Sequence, residues 1–243
     1  MDFDKWARVY DIVYGSFQDD VSFYLKEAQK SRGKVLELAC GTGRIYLELL
    51  KKGVDAYGID IAGKMLESLR EKAGSMGLKP AVKKADMRTF RFSHKFSLII
   101  IPFRSFLHNL TQDDQIKTLR NIRRHLKPGG RLALNFFFPS PDVIANHYGK
   151  EIKRTVKKDG KRYTVINKSR FIDEPNQTVK TKEILKRNNR TLWRDEFILS
   201  FIYKREFELL LEKAGFSSYK VYGGFNYQPL KSSKQEMVWV VKR

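Results

Sequence analysis

The chain has 243 residues, 42% of them hydrophobic, and 48 Lys and Arg against 27 Asp and Glu give it a net charge of +21. That length suits one large domain or a domain with a lid, and no apolar run approaches the ~20 residues needed to cross a bilayer. The single cysteine, Cys40, excludes an intrachain disulfide. An intracellular, cytoplasmic protein is expected, because the opening Met1-Asp2-Phe3-Asp4-Lys5 is too charged for a secretory signal. The positive field attracts polyanions, whether nucleic acid, a membrane surface or a phosphorylated small molecule. A highly charged surface of the thermophile kind accounts for it equally well.

The first thirty residues read as amphipathic helix. Trp6, Val9, Tyr10, Val13, Tyr14 and Phe17 recur at three- and four-residue spacing, and Gly15-Ser16 is expected to divide the stretch into two helices. A strand-then-helix rhythm follows. Strands are expected at 35–39, 55–59, 81–85, 97–102 and 131–137, with helices at 45–51, 65–72 and 113–125. Thr111 suits the N-cap of the last of these helices, and Lys127-Pro128-Gly129-Gly130 reads as a sharp turn before the fifth strand. Alternating strands and helices mean a doubly wound parallel sheet.

Near residue 150 the rhythm changes. Alternating segments at 152–158 and 161–172 flank Asp159-Gly160, a two-residue hairpin signal. Two more, at 177–186 and 191–203, meet at Asn188-Asn189. A helix over 206–213, stopped by Gly215, precedes closing strands at 219–222 and 237–241. The expected organisation is therefore N-terminal helices and a core over 1–149, an antiparallel insert over 150–203, and elements completing the core sheet over 204–243. Between Lys150 and Arg205 there are 17 Lys and Arg against 7 Asp and Glu, so the insert is a candidate contact surface.

The chemistry concentrates where the first strand ends, in Val35-Leu36-Glu37-Leu38-Ala39-Cys40-Gly41-Thr42-Gly43-Arg44. Gly41 and Gly43 permit a tight turn and close ligand approach, with helix N-terminal amides facing the ligand. An ordinary βα turn or a nucleotide loop has the same outline. Glu37 shifts the balance, since a carboxylate beside the loop repels a pyrophosphate and tolerates a cationic ligand. A dinucleotide loop also wants a third glycine where Tyr46 stands. Asp60, 23 residues after Glu37 at the tip of the second strand, can accept both hydroxyls of a ribose, or can simply cap a helix. Asp86-Met87, after the third strand, can accept an adenine amine and flank the ring, or can be turn residues.

In this order and spacing, these elements resemble class I S-adenosylmethionine-dependent methyltransferases, closely over residues 33–138 and loosely beyond. The resemblance implies a Rossmann-like, doubly wound α/β fold whose mostly parallel seven-stranded sheet carries the antiparallel insert. It implies S-adenosyl-L-methionine as cofactor and S-adenosyl-L-homocysteine as product. The implied cofactor contacts are Tyr10 in the N-terminal helix, Glu37, Ala39, Gly41, Gly43 and Arg44 around the first loop, Asp60, Ile61 and Met65 after the second strand, then Asp86, Met87 and Phe103. Small-molecule enzymes, the sugar amine and glycine-type N-methyltransferases, are nearest in pattern. Their Tyr-rich lid is similar to Trp6–Tyr14, and their loop after the fourth strand is similar to Phe103-Arg104-Ser105-Phe106-Leu107-His108-Asn109. Their substrate-covering sheet is similar to the insert. The fourth strand ends Ile101-Pro102-Phe103-Arg104, unlike the Pro-Pro-aromatic motif of enzymes that methylate nucleobase amines.

Methyl transfer needs alignment and water exclusion, and a base only if the acceptor must lose a proton. His108 can orient or deprotonate an acceptor or bond to backbone; Arg104 can clamp a substrate anion or remain a solvated charge; Tyr14 and Tyr10 can close over the cofactor or pack their helix. A late loop, Tyr222-Gly223-Gly224-Phe225-Asn226-Tyr227, is a candidate to reach the pocket. His94, His125 and His147 show no metal-ligand spacing with one another or with Cys40, so no metal is expected, and Cys40 reads as a small buried residue. The favoured acceptor is a small molecule, which can be anionic, methylated on nitrogen or oxygen by a monomer or homodimer. An RNA or protein methyltransferase gripping its polymer with the insert, or a non-catalytic nucleotide-binding protein, would use the same core.

Overall fold

A computed structural model describes residues 3–243; Met1 and Asp2, the start of the charged opening, lie outside the described residues. Three helical pieces come first: α1 (Phe3–Trp6), α2 (Tyr10–Val13) and α3 (Val21–Ser31). The expected division at Gly15-Ser16 is present, and there is a second one between Trp6 and Tyr10. At Gly15 a Cβ would stand 2.4 Å from the Asp11 carbonyl oxygen, which is why only glycine lets the chain turn so tightly onto α2. The core follows as β1 (Val35–Leu38), α4 (Tyr46–Lys51), β2 (Ala56–Asp60), α5 (Gly63–Ser75), β3 (Ala81–Lys84), β4 (Phe96–Ile101), α6 (Gln112–His125) and β5 (Leu126–Phe136). Thr111 caps α6, its hydroxyl accepting from the Asp114 amide.

One turn expectation is corrected. Lys127–Gly130 does not precede the fifth strand but lies inside it. Phe96 pairs with Leu126 and Leu98 with Arg131, so the intervening residues bulge out opposite Ser97, with Gly129 at φ 72°. After β5 come α7 (Pro141–His147), which the sequence pattern did not announce, and β6 (Ile152–Lys158), β7 (Lys161–Asp173), β8 (Thr178–Arg187) and β9 (Arg190–Ser200). The chain closes with α8 (Lys204–Lys213), β10 (Ser218–Tyr222) and β11 (Met237–Lys242).

The main sheet has seven strands in the order β10-β11-β5-β4-β1-β2-β3. β1 to β5 run parallel, and β11 is antiparallel to both β5 and β10. The chain winds outward from β1 to β3, then returns to β4 on the other side. The crevice at the carboxyl ends of β1 and β4 is therefore the topological switch point, where such sheets bind ligands. Both faces are covered, as parallel strands require. Leu36, Leu38, Ile99 and Ile101 pack with α6 and α8, while Val35, Leu98 and Ile100 pack with α3, α4 and α5.

The second sheet is antiparallel, in the order β6-β7-β8-β9. Its two outer hairpins turn on Asp159 (φ 49°) and Gly160 (φ 71°), and on Asn188 (φ 49°) and Asn189 (φ 59°). Positive φ at both central residues is the mirror-image turn whose twist matches paired strands. The inner face of this sheet packs on the N-terminal helices: Val9 and Val13 lie among Val156, Tyr163, Val165 and Leu185. Trp6, two turns earlier, packs on Ala62 and Met65 of the core. The helices thus form a wedge between core and insert. By strand alternation, the opposite face carries Lys153, Lys157, Arg162, Lys168, Arg170, Lys182 and Arg194, a basic row turned away from the wedge, while Arg154 on the inner face bonds to Val13 of the wedge. Among the described residues no helix is long and apolar enough to cross a membrane.

Candidate cofactor and acceptor site

A cavity of about 890 Å³ lies between the carboxyl edge of the main sheet, the helical wedge and the inner face of the insert. Small-molecule pockets run to about 300–1,000 Å³, so this one lies near the upper end of that range. One end is built by the tips of β1, β2 and β3, the other by Phe103, Arg104, Asn135, Phe137 and Glu236 with the insert's Arg154, Asn167, Ser169 and Thr181.

At the first end, the backbone leaves β1 through Ala39 (φ 56°) and Gly41 (φ 52°) and turns into α4. Asp60, at the tip of β2, fixes this turn: its two carboxylate oxygens accept from the Gly41 and Ala62 amides, each at 2.8 Å. Burial pushes the Asp60 carboxyl up, and these amides oppose the shift. Each oxygen keeps a lone pair for a ligand hydroxyl. Beside it Ile61 is 48% exposed although it lines the cavity, an apolar surface suited to cover by a planar ring. Met65, Asp86 and Met87 complete this end. Asp86 is engaged by Arg88 at 2.6 Å, which holds its carboxyl below the usual range.

Glu37 stands in β1, 3% exposed, against a small side cavity shared with Tyr10, Ala39, Arg44 and Phe103. Its Oε2 is buried without a partner, and burial pushes its carboxyl well up. An unmatched buried carboxylate is expensive, and a ligand ammonium is the group that would satisfy it. Arg44 does not do so, because it is committed to Asp20 at 2.5 and 2.7 Å. Gly43 also lines neither cavity. A Cβ there would meet Leu69 and Leu47 at 2.9 and 3.0 Å, so this glycine serves packing of the loop onto α4 and α5. Cys40 is buried, with its thiol pushed well up by burial.

The wedge roofs the cavity with aromatic rings. Trp6 stacks on Tyr14 at 5.9 Å and meets Trp193 and Phe197 edge-on at 5.1 and 5.2 Å. Tyr10 and Tyr14 both touch Phe103. The roof is tied down by Asp11, which accepts from the Thr42 hydroxyl in the glycine loop at 2.6 Å and pairs with Lys72 of α5 at 2.8 Å.

Of the residues expected to act on the acceptor, the cavity gathers Tyr14, Arg104 and His108. His108 ends the short 3-10 turn Ser105–His108, and its ring meets Phe3 edge-on at 5.0 Å. Burial drops its pKa to about 4, so it is neutral near pH 7, and a ring N–H donated to the Ile198 carbonyl opposes that drop only in part. Arg104 is bidentate to Glu236 at 3.0 and 2.7 Å, and Glu236 also accepts from Asn135 at 2.7 Å. The late loop is a correction: Tyr222, Asn226 and Tyr227 do not line the cavity. Tyr227 packs on Phe23 and donates its hydroxyl to Glu27 at 2.7 Å, which turns the loop onto α3. Sequence reasoning missed Glu236 and the polar inner face of the insert. The available signal was the alternation Val179, Thr181, Glu183, Leu185 against Lys180, Lys182 and Lys186, which puts a carboxylate on the inward side. Among the described residues no three His, Cys, Asp or Glu are grouped to hold a metal ion.

Residues 35–130 match the family model described as a methyltransferase domain. A putative methyltransferase of Bacillus subtilis is 32% identical over 135 residues, 54% of this chain and 54% of the relative. The match thus spans about half the length of that relative. The Streptomyces venezuelae dTDP-3-amino-3,4,6-trideoxy-alpha-D-glucopyranose N,N-dimethyltransferase is 27% identical over 179 residues, 71% of this chain and 72% of that enzyme. In fold, the chain is similar to an S-adenosylmethionine-dependent methyltransferase of Clostridium acetobutylicum, with a TM-score of 0.81 at 18% identity over 99% of this chain and 98% of that one.

Proposed function

We propose that the chain, whose residues 35–130 match a methyltransferase domain, uses S-adenosylmethionine to methylate the nitrogen of a small amine, an amino sugar being the acceptor class the Streptomyces relative points to. The observation that carries the cofactor assignment is the buried, unpartnered oxygen of Glu37 one loop away from Asp60. That donor set fits the group. Glu37 would face its ammonium, Asp60 its ribose hydroxyls, and Ile61 and Met87 its adenine, with Asp86 within reach of the exocyclic amine. Ala39, Gly41 and Met65 would line its path, with Tyr10 and Phe103 closing over it.

When bound, S-adenosylmethionine supplies an electrophilic methyl group on a cationic sulfur. The chain's own contribution is alignment and dryness. The Trp6–Tyr10–Tyr14 roof excludes water, and Phe103, which Tyr10 and Tyr14 touch, continues that aromatic wall. His108, neutral and held by backbone, positions rather than carries a proton. Arg104, tied to Glu236, presents its remaining guanidinium edge to anionic parts of an acceptor.

A polymer acceptor is disfavoured by geometry. The basic face of the insert is the one turned away from the cavity, so a nucleic acid gripped there would not offer its atoms to the site. The first test is calorimetric titration with S-adenosylmethionine, alongside Asp60→Ala. Saturable binding that the variant loses supports the assignment, followed by transfer of labelled methyl to amino sugars but not to RNA. A folded wild-type protein that binds NAD or ATP instead overturns it.

A further inference from the structure

The inner face of the insert holds two carboxylates that the methyl-transfer reading leaves unused. Glu183 of β8 is fully buried, and its Oε1 has no partner. Asp195 of β9, directly opposite it in register, also has a buried oxygen, Oδ2, without one. Opposed residues in an antiparallel pair have Cβ atoms only about 5 Å apart, so both carboxyl side chains start from neighbouring positions on the inner face. Among the described residues, no cation stands within ion-pair distance of Glu183. Arg154, the nearest influence, donates instead to the Val13 carbonyl at 3.1 Å. Such an arrangement is costly to build unless a ligand uses it.

The way it reaches the cavity is visible. Glu183 Oε2 accepts from the Tyr14 hydroxyl at 2.7 Å. It also accepts from the Asn167 amide at 2.9 Å, in the orientation of that amide which the hydrogen-bond network demands. Tyr14 and Asn167 both line the cavity, as do Ser169 and Thr181 next to them. A hydroxyl that has given its only hydrogen to a carboxylate can do nothing toward a ligand except accept. Tyr14 therefore presents lone pairs, backed by negative charge, to whatever occupies the acceptor end.

We propose that Glu183 is the positioning residue for the acceptor amine: through Tyr14 it selects a nitrogen carried as ammonium and takes up the proton that must leave before methylation. The inference rests on the methyltransferase reading above. In the proton step, an N–H bond of the acceptor breaks and its electron pair stays on nitrogen. The proton passes to the Tyr14 oxygen as the hydrogen of Tyr14 passes to Glu183 Oε2. Tyr14 ends as a neutral phenol and Glu183 as a carboxylic acid. Burial already raises the Glu183 carboxyl, which suits it to receive a proton.

Glu183→Gln is the direct test, since the amide oxygen still accepts from Tyr14 while the charge is lost. Protein saturated with S-adenosylhomocysteine is titrated with 3-amino-3-deoxyglucose and, in parallel, with glucose. Wild type is expected to prefer the amine at least tenfold. The variant is expected to keep its S-adenosylhomocysteine affinity and its glucose affinity but to lose that preference, with Glu183→Asp restoring part of it. A purely structural role would lower both sugars together or the cofactor with them, and that result overturns the proposal. So does a wild-type protein that binds the cofactor product yet does not distinguish amine from hydroxyl. Failure of wild type to bind S-adenosylhomocysteine at all sinks the underlying methyltransferase reading instead.

Discussion

The Arg44 guanidinium sits bidentate on the Asp20 carboxylate, at 2.5 and 2.7 Å, between the rings of Phe17 and Phe103. Asp20 is fully buried and the Arg44 side chain 8% exposed, so the pair is a strut between the start of α3 and the glycine loop. It carries the Phe103 ring that walls the ligand cavity, which makes a local ion pair a condition of the site's shape.

Removing one partner of a buried pair strands the other, at a cost of about 3–5 kcal/mol. Asp20→Ala is therefore expected to lower unfolding free energy by that order in urea titration. Replacing both partners with Leu and Met should cost far less. Equal losses in the single and double variants would show that the strut matters for its volume and not its charge.

The two loop glycines are predicted to separate stability from binding. Gly43→Ala forces a Cβ against Leu69 and Leu47 at φ 92° and should lower stability by more than about 1 kcal/mol. Gly41→Ala meets no atom within 4 Å, though its φ of 52° still disfavours a side chain. It should fold with a smaller loss and chiefly weaken the cofactor, because its Cβ enters the ligand's approach. Thermal melts and calorimetry on the two proteins read the contrast.

Trp6→Ala is expected to loosen the roof. Trp6 is 6% exposed and touches Tyr14, Trp193, Phe197 and Met65, and deleting a buried Trp costs about 3–5 kcal/mol. The readout specific to a lid is kinetic: the dissociation rate of S-adenosylhomocysteine in stopped-flow should rise more than tenfold. An unchanged rate would mean the roof packs without gating.

His108 gives a stability prediction with a definite sign. Its folded pKa, near 4, lies below its ordinary 6.5, so between those values the unfolded chain binds more protons. The stabilisation is complete above pH 6.5 and is lost as pH falls toward 4. His108→Asn should flatten this part of the pH–stability curve, and kcat/KM should lack a histidine limb near neutrality. A limb at pH 6–7 that the variant abolishes would return His108 to the role of base.

Local chemistry was readable wherever a few neighbouring residues decide it. Asp159-Gly160 and Asn188-Asn189 made their hairpins because two successive positive φ values admit few other residues. Asp60 and Gly41 were placed at strand tips by the alternation of strands and helices. Lys127–Gly130 misled for the same local reason. A Pro-Gly-Gly run ordinarily ends an element, and only pairing of Phe96 with Leu126 on β4 turned it into a bulge within β5.

The sequence by itself determined the doubly wound sheet, the glycine loop with its flanking carboxylates and the change to antiparallel strands, because hydrophobic period and turn chemistry act over a few residues. Tertiary structure alone decided who partners whom. Arg44 went to Asp20 and not to a ligand, Arg104 to Glu236, and Tyr227 to Glu27. Tyr14 met Glu183 across 169 residues of chain. A charged side chain carries no local mark of its partner: its energy is set by burial and by what the fold brings within about 4 Å.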